Sequence, residues 1–325
     1  MNVLITSASR KVILIRAFQS ALNREGGGDV VAIDASQHSA ALYQADAYEI
    51  APPGLGDEFA KFVQDVVSKY NVSIIIPTRD EELEFFAARR AEFNETGVKV
   101  MVPSRQSVEI CQDKLRFIKH CTANGFQVPK VFETSELETL DTFPVFVRGR
   151  LGKGSEDARR VETRKELEVA CSQIDNPVVQ EYVDAPEFTI DLFANFDGEV
   201  ISVVPRERVR VFGGESFVGR TVRDDQMIER SAELSKSVGL AGHNTIQCFR
   251  RDNGDIQFIE INPRFGGGAS LGFAAGAFTP RYLVRLLQDK SVPSRIGDFA
   301  EGRTMLRYTR DLFLDEHGQP ISHPW

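Results

Sequence analysis

Short apolar runs that alternate with amphipathic stretches constrain the first third of this chain more than any other feature. Val3-Leu4-Ile5 is followed by Val12, Leu14, Ile15, Phe18 and Leu22 at helical spacing, and Gly26-Gly27-Gly28 then interrupts the pattern. This reads as strand, turn, helix and stop. Val30-Val31-Ala32-Ile33, ending in Asp34, is a second strand. Phe59, Phe62, Val63, Val66 and Val67 form the next helical stripe, and Ile74-Ile75-Ile76-Pro77 a third strand. Strands separated by helices run parallel, so the segment predicts a doubly wound parallel sheet. Ligands of such sheets bind outside the carboxyl ends of the strands. At the first of these ends, Thr6-Ser7-Ala8-Ser9-Arg10 lacks the glycines that let a backbone approach a pyrophosphate. Asp34 stands where a ribose-binding acid would, but without those glycines a nicotinamide oxidoreductase is the weaker reading. Pro77-Thr78-Arg79-Asp80-Glu81-Glu82 is open to two readings, a ligand-facing group or a helix start whose acids meet the macrodipole.

The chain has 325 residues, room for about two domains. Its net charge of -8, with no dense Lys/Arg run, argues against nucleic acid or an anionic membrane as the main partner, since both select a basic surface. No stretch approaches the ~20 apolar residues of a membrane helix, and the first residues lack the features of a signal peptide. Cys111, Cys121, Cys171 and Cys248 are scattered without a CxxC pair, which fits reduced thiols and a cytoplasmic location. The histidines show no zinc spacing.

Farther along, Asp113-Lys114 lies in a helical stretch, and Gly125-Phe126-Gln127-Val128-Pro129 breaks it near a domain boundary. Phe143-Pro144-Val145-Phe146-Val147-Arg148 is a strand ending in a cation, followed by Gly149-Arg150-Leu151-Gly152-Lys153-Gly154-Ser155. Glycines turn backbone N–H groups toward an anion, and Arg148, Arg150 and Lys153 add charge. The segment is either a phosphate cradle or a flexible hairpin turn; its glycine spacing is not that of a Walker A loop.

The richest pattern runs from Ile246 to Arg264. Asn253-Gly254 favours a two-residue hairpin loop. Counting back from that loop sets Gln247 opposite Glu260, and the side-chain period of two puts Asn262 on the same face. Ile246, Cys248, Ile259 and Ile261 fall on the other face, toward a core. Directly opposed Cβ atoms lie ~4.5 to 5.5 Å apart, so three oxygen-bearing side chains converge. A carboxylate with amide oxygens suits a hard cation such as Mg²⁺, whose shell water and phosphate complete. The alternative is a half-solvated sheet face.

With these residues in place, the chain resembles the ATP-grasp superfamily, and most closely one synthetase unit of the carbamoyl-phosphate synthase large subunit. The likeness rests above all on Glu260-Ile261-Asn262-Pro263-Arg264. It implies an α/β and α+β chain: a Rossmann-like pre-ATP-grasp domain over 1–105, a small ATP-grasp subdomain with a lid over 106–186, and a large subdomain over 187–325 with the metal site and a C-terminal hairpin built from 304–308 and 312–314. It implies Mg²⁺ or Mn²⁺ held by Gln247, Glu260 and Asn262, with Arg264 on phosphate or acyl phosphate. Lys114 would belong to the DK pair that opens the ATP-grasp region. Arg148, where lysine is usual, would touch the α-phosphate, and Gly152, Lys153, Gly154 and Ser155 would form the lid. Glu181, Tyr182 and Val183 would read adenine and Glu187 the ribose. Arg206, Arg208 and Arg220 are candidates for holding the acyl substrate.

The resemblance implies an ATP-dependent ligase that converts a carboxylate or bicarbonate to an acyl phosphate and passes it to an amine, as a homodimer or with a partner subunit. Two rivals stay open: a split carbamoyl-phosphate synthase component that needs a second chain, and an ATP-binding module without turnover.

Overall fold

The computed structural model describes residues 1–152 and 158–321. These form two compact units, one of residues 1–102, 278–292 and 305–325, the other of residues 103–277 and 293–304.

The first unit is built on β1 (Asn2–Ile5), α1 (Val12–Arg24), β2 (Val30–Asp34), β3 (Ala47–Ile50), α2 (Asp57–Lys69), β4 (Val72–Ile76), α3 (Asp80–Glu95) and β5 (Lys99–Val100). The five strands are parallel in the order β3-β2-β1-β4-β5, with Val3 opposite Val30 and Ile74. Leu4, Ile5, Val31, Ile33, Ile74 and Ile75 are fully buried. Such near-continuous apolar runs are what a sheet covered on both faces requires. The glycine-free first turn closes all the same: Ser7 and Ser9 take φ of 46° and 47°, the left-handed region that glycine enters most easily. Backbone bonds hold them there, Ala8 N to Ile33 O at 3.1 Å, and Ser9 N donates to Asp34 Oδ2 at 2.8 Å. Helix Thr279–Leu286 belongs to this unit. The Glu25 carboxylate at the end of α1 accepts from Arg281 Nε at 2.6 Å and pairs with Lys290 at 3.2 Å.

The second unit opens with α4 (Arg105–Gln112), α5 (Lys114–Ala123) and α6 (Thr134–Leu137). A small antiparallel sheet follows, from β6 (Val145–Gly149), β7 (Arg159–Val161), α7 (Arg164–Gln173) and β8 (Pro177–Glu181), in the order β7-β6-β8. Its core is Val145, Val147, Val161, Leu167 and Val179. The larger sheet is formed by β9 (Glu187–Ala194), β10 (Val200–Phe212), β11 (Glu215–Thr221), α8 (Asp225–Val238), β12 (Gly242–Arg250) and β13 (Ile256–Asn262), with α9 (Ala269–Ala274) after it. These strands stand in the order β13-β12-β9-β10-β11. Ile190, Leu192, Ile246, Cys248 and Phe258 pack there with Phe117 of α5 and Leu234 of α8. Burial pushes the Cys121 thiol up to about 12, in keeping with a structural role.

At the chain's end, the expected pairing of 304–308 with 312–314 gives way to a turn farther along. Ile321 N donates to Phe313 O at 3.0 Å, and Gly318 N to Asp315 O at 3.0 Å. The Asp315 side chain accepts from the His317 and Gln319 amides, and Gly318 takes φ 74°, so this turn is held by its own residues.

Candidate active site

Strands β12 and β13 bring the metal candidates together. Gln247 lies opposite Glu260 and Thr245 opposite Asn262. Asn262 Nδ2 donates to Glu260 Oε1 at 3.1 Å and to Gln247 Oε1 at 3.5 Å. The route to this register differs from the one expected. Gly254 N donates to Arg251 O, Arg251 N to Asp255 O, and Gly254 takes φ 92°. The loop is therefore Asp252-Asn253-Gly254, three residues ending in a left-handed glycine. A bulge between Gln247 and Cys248 pairs Cys248 with Phe258 and restores the count. Phe258 thus replaces Ile259 on the core face: Phe258 is 1% exposed, while Ile259 is only partly buried. Bulges re-aim the chain in this way.

The freed carbonyl of Ile259 accepts from Arg148 Nη2 at 3.2 Å, and Arg148 Nη1 stands 3.7 Å from Glu260 Oε2. Arg148, at the end of β6, is 3% exposed, and its Nε has no hydrogen-bond partner. Burial pulls its guanidinium below the ordinary arginine range, and Glu260 acts in the opposite sense. A buried cation with an orphaned donor beside a carboxylate and two side-chain amides is a group set suited to Mg²⁺ that shares its shell with phosphate oxygens. Gln247, Glu260 and Asn262 would hold the ion, and Arg148 would face the phosphate.

The other candidates divide between this centre and its supports. Lys114 is buried and its Nζ donates to Gly152 O at 3.0 Å, so it grips the chain just after β6. Asp113 caps α5 through the Leu115 and Arg116 amides and accepts from Arg150 at Nε and Nη2. Lys153, Gly154 and Ser155 lie outside the described residues. Glu181 spends its carboxylate on Arg251 Nη2 at 2.7 Å and the Lys130 amide at 3.1 Å. Tyr182 lies under the Arg160 guanidinium, 4.3 Å from the ring centroid, and Val183 is buried.

Glu187 Oε1 accepts from Gln247 Nε2 at 2.6 Å and from Arg208 Nη1 at 2.7 Å. This carboxylate therefore orients a metal candidate, a link invisible in the sequence because it joins three strands. Arg208 also donates to Gly214 O. Of the two other arginines considered for the acyl substrate, Arg220 is exposed and paired with Glu207 at 2.6 Å. Arg206 is 2% exposed and forms a bidentate pair with Asp191 at 2.6 and 2.8 Å. Its fork is already occupied. Arg264 donates to Phe265 O at 3.5 Å.

The pair of Arg206 and Asp191 accounts for Gly268 and Gly272, and Thr245 for Gly266. A Cβ on Gly268 would stand 2.5 Å from Arg206 Nη1, one on Gly272 2.9 Å from Asp191 Oδ2, and one on Gly266 2.6 Å from Thr245 Oγ1. These glycines let the chain after Arg264 lie directly on the buried pair and on Thr245.

Residues 3–101 match the family model described as PylC-like, N-terminal domain, and residues 173–309 the model described as ATP-grasp in the biosynthetic pathway with Ter operon. The chain is 24% identical over 204 residues to the carbamoyl phosphate synthase large chain of Thermoplasma volcanium, covering 56% of this chain and 19% of that protein. It is 20% identical over 267 residues to the carbamoyl-phosphate synthase of Methanobrevibacter smithii, covering 75% of this chain and 70% of that one. The chain thus spans less than a fifth of the length of the first two large chains it matches, 19% and 17%. In structure it is similar to the biotin carboxylase domain of the Hydrogenobacter thermophilus 2-oxoglutarate carboxylase, solved with MgADP, ADP and bicarbonate. That likeness has a TM-score of 0.74 at 19% identity and covers 93% of this chain and 73% of that one. Among the described residues, no helix is long and apolar enough to cross a membrane.

Proposed function

We propose that this chain, which belongs to the ATP-grasp superfamily, is an ATP-dependent ligase that joins a carboxylate or bicarbonate to an amine. The observation that carries the reading is the convergence of Gln247, Glu260 and Asn262 beside the buried Arg148. A carboxylate oxygen of the substrate attacks the γ-phosphorus of ATP, the bond to the β-phosphate oxygen breaks, and ADP leaves. The amine nitrogen then attacks the acyl carbon, the bond to the phosphate oxygen breaks, and the nitrogen gives up a proton to solvent. When bound, Mg²⁺ neutralises phosphate charge. Arg148 supplies a fixed cation in a desolvated place, where electrostatic stabilisation is strongest. Glu187 holds the Gln247 amide so that its oxygen points to the shared centre. Catalysis of this kind rests on position and charge, with no need of a nucleophilic side chain.

The test is ADP release from Mg-ATP against bicarbonate with ammonia and against carboxylates and amino acids, singly and in pairs. Release with one pair, abolished by Glu260→Ala in a folded variant, is the expected result. Undiminished release from Glu260→Ala defeats the metal assignment. A second reading is a component that turns over only with a partner chain. Release that appears only when a second synthetase unit is added supports it. Tight ATP binding without release under any condition leaves a nucleotide-binding module.

A further inference from the structure

The small sheet β7-β6-β8 turns one face to a core and carries polar groups on the other. Val145 and Val147 of β6 and Val179 of β8 belong to the core. The side-chain period of two therefore puts Phe146, Arg148, Val178 and Gln180 on the opposite face. The register sets Phe146 opposite Gln180 and Arg148 opposite Val178. Arg148 and Gln180 are thus diagonal neighbours on that face, a relation in which residues lie ~7–8 Å apart.

Gln180 is the unusual member. Its main chain is engaged on both sides, through the register with Phe146 and a bridge to Val131. Its side chain is not: the residue is 3% exposed, and Nε2 has no hydrogen-bond partner among the described residues. Arg148 Nε, equally buried, is in the same condition. A buried amide donor without an acceptor is costly, and native interiors rarely keep one. Packing does not require it, because an apolar side chain of the same shape fills such a place without the penalty. Two unmet donors on one face of one sheet mark the place of a molecule rich in acceptors.

With phosphate at Arg148, the diagonal step to Gln180 is one that a ribose bridges, which brings the base to the glutamine. We propose that the Gln180 side chain reads the base of the nucleotide along the edge that carries N7 and the 6-amino group, with Nε2 donating to N7 and Oε1 accepting from the amine. A carboxamide matches this edge of adenine at both atoms, whereas in a 6-oxopurine its oxygen meets a second acceptor. Phe146, half-buried and directly opposite Gln180, adds apolar surface on the same face. Gln180 is then a specificity-determining residue that selects adenine, an assignment that rests on the nucleotide site of the ligase reading.

Calorimetric titration of the full chain with MgADP and with its 7-deaza counterpart, in which a C–H replaces N7, reads the contact without turnover. The expected result is binding of the 7-deaza nucleotide about tenfold weaker than ADP, the scale of one hydrogen bond whose buried donor is left unmet. Gln180→Met, apolar and of similar length, should weaken ADP by about tenfold or more and bring the two nucleotides to equal affinity. Its melting temperature should hold or rise, because an unpaired donor leaves the interior. The comparison in the parent chain stands whatever the variant does to the fold. Equal affinities in the parent overturn the proposal, as does a preference for ADP that survives Gln180→Met and so passes N7 to another donor such as Arg148. Failure of the ligase reading has a different signature, a preference that Gln180→Met abolishes in a chain that releases no ADP from Mg-ATP with any acceptor. Absence of MgADP binding defeats the nucleotide site and the proposal together.

Discussion

Arg148 and Glu260 face one another at 3.7 Å from different sheets of the second unit, the arginine almost wholly buried and the glutamate side chain 23% exposed. The pair is uneven. Arg148 is fixed by the Ile259 carbonyl and keeps Nε without a partner, whereas Glu260 also accepts from Asn262. Such an arrangement spends stability to keep a cation poised, since a loosely paired buried charge recovers little of its desolvation cost.

Arg148→Met should therefore separate function from stability. ADP release should fall by at least about 100-fold, the scale lost when one fixed electrostatic donor is removed. The unfolding free energy should stay level or rise by about 1 kcal/mol, because an apolar side chain of similar length replaces a poorly compensated charge. Arg148→Lys should retain part of the activity, losing the fork but not the charge. Urea unfolding beside an ADP-release assay decides it; a variant that loses stability and activity together would mark Arg148 as a packing element.

The parallel sheet and the meeting of Gln247 with Glu260 were legible in the sequence, the first because strand and helix periods alternate without interruption. The second came out right through two departures that offset each other. The loop is one residue longer than Asn253-Gly254, and the bulge at Ile259 returns the register. Local turn chemistry can signal a hairpin, but a bulge depends on what the strand must reach, here Arg148. Arg206 shows the opposite case. Nothing local in Pro205-Arg206-Glu207-Arg208 signals burial, and only the tertiary pairing with Asp191 takes it inside. The glycines at 268 and 272 were the available signal, since closely spaced glycines mark a close approach of the backbone to something bulky.

That packing gives a prediction about coupling. Gly266→Ala should destabilise the protein by about 1–3 kcal/mol, the usual cost of forcing an atom into a filled core. The obstruction is the Thr245 side chain, with Oγ1 at 2.6 Å and Cγ2 at 3.2 Å from the added Cβ. Combining Gly266→Ala with Thr245→Ala removes both atoms, so the double variant should be more stable than the two single losses sum to, by about 1 kcal/mol or more. Additive losses in thermal or urea unfolding would refute the close approach.

Asp191 leads to a dependence on pH. Burial alone raises its pKa, but the charge and hydrogen bonds of Arg206 prevail, with the His243 ring 3.8 Å away, and bring it from the ordinary 3.8 to about 2. Because the folded value is the lower one, this group's contribution is complete above about pH 4 and is lost as pH falls toward about 2. Asp191→Asn should cost about 3–5 kcal/mol at pH 7, since it leaves Arg206 buried without its counter-charge. The difference from the parent should narrow as the pH drops from about 4 to about 2. A difference that stays constant over that interval, followed by urea unfolding at each pH, would assign the loss to shape instead of charge.

The clamp of Asp113 on Arg150 offers a last separation. Asp113 has two tasks, capping α5 through the Leu115 and Arg116 amides and holding Arg150 in a bidentate pair. Asparagine caps a helix about as well as aspartate, whereas alanine does not, a loss of about 1 kcal/mol. Asp113→Asn should accordingly keep most of the helix stability and release Arg150, so ATP affinity should fall several-fold while the unfolding midpoint hardly moves. Asp113→Ala should lower both, its added stability loss reporting the cap. ATP titration set beside thermal unfolding for the two variants distinguishes the roles. Equal ATP affinity in parent and Asp113→Asn would show that the ion pair with Arg150 braces the strand end without tuning the nucleotide site.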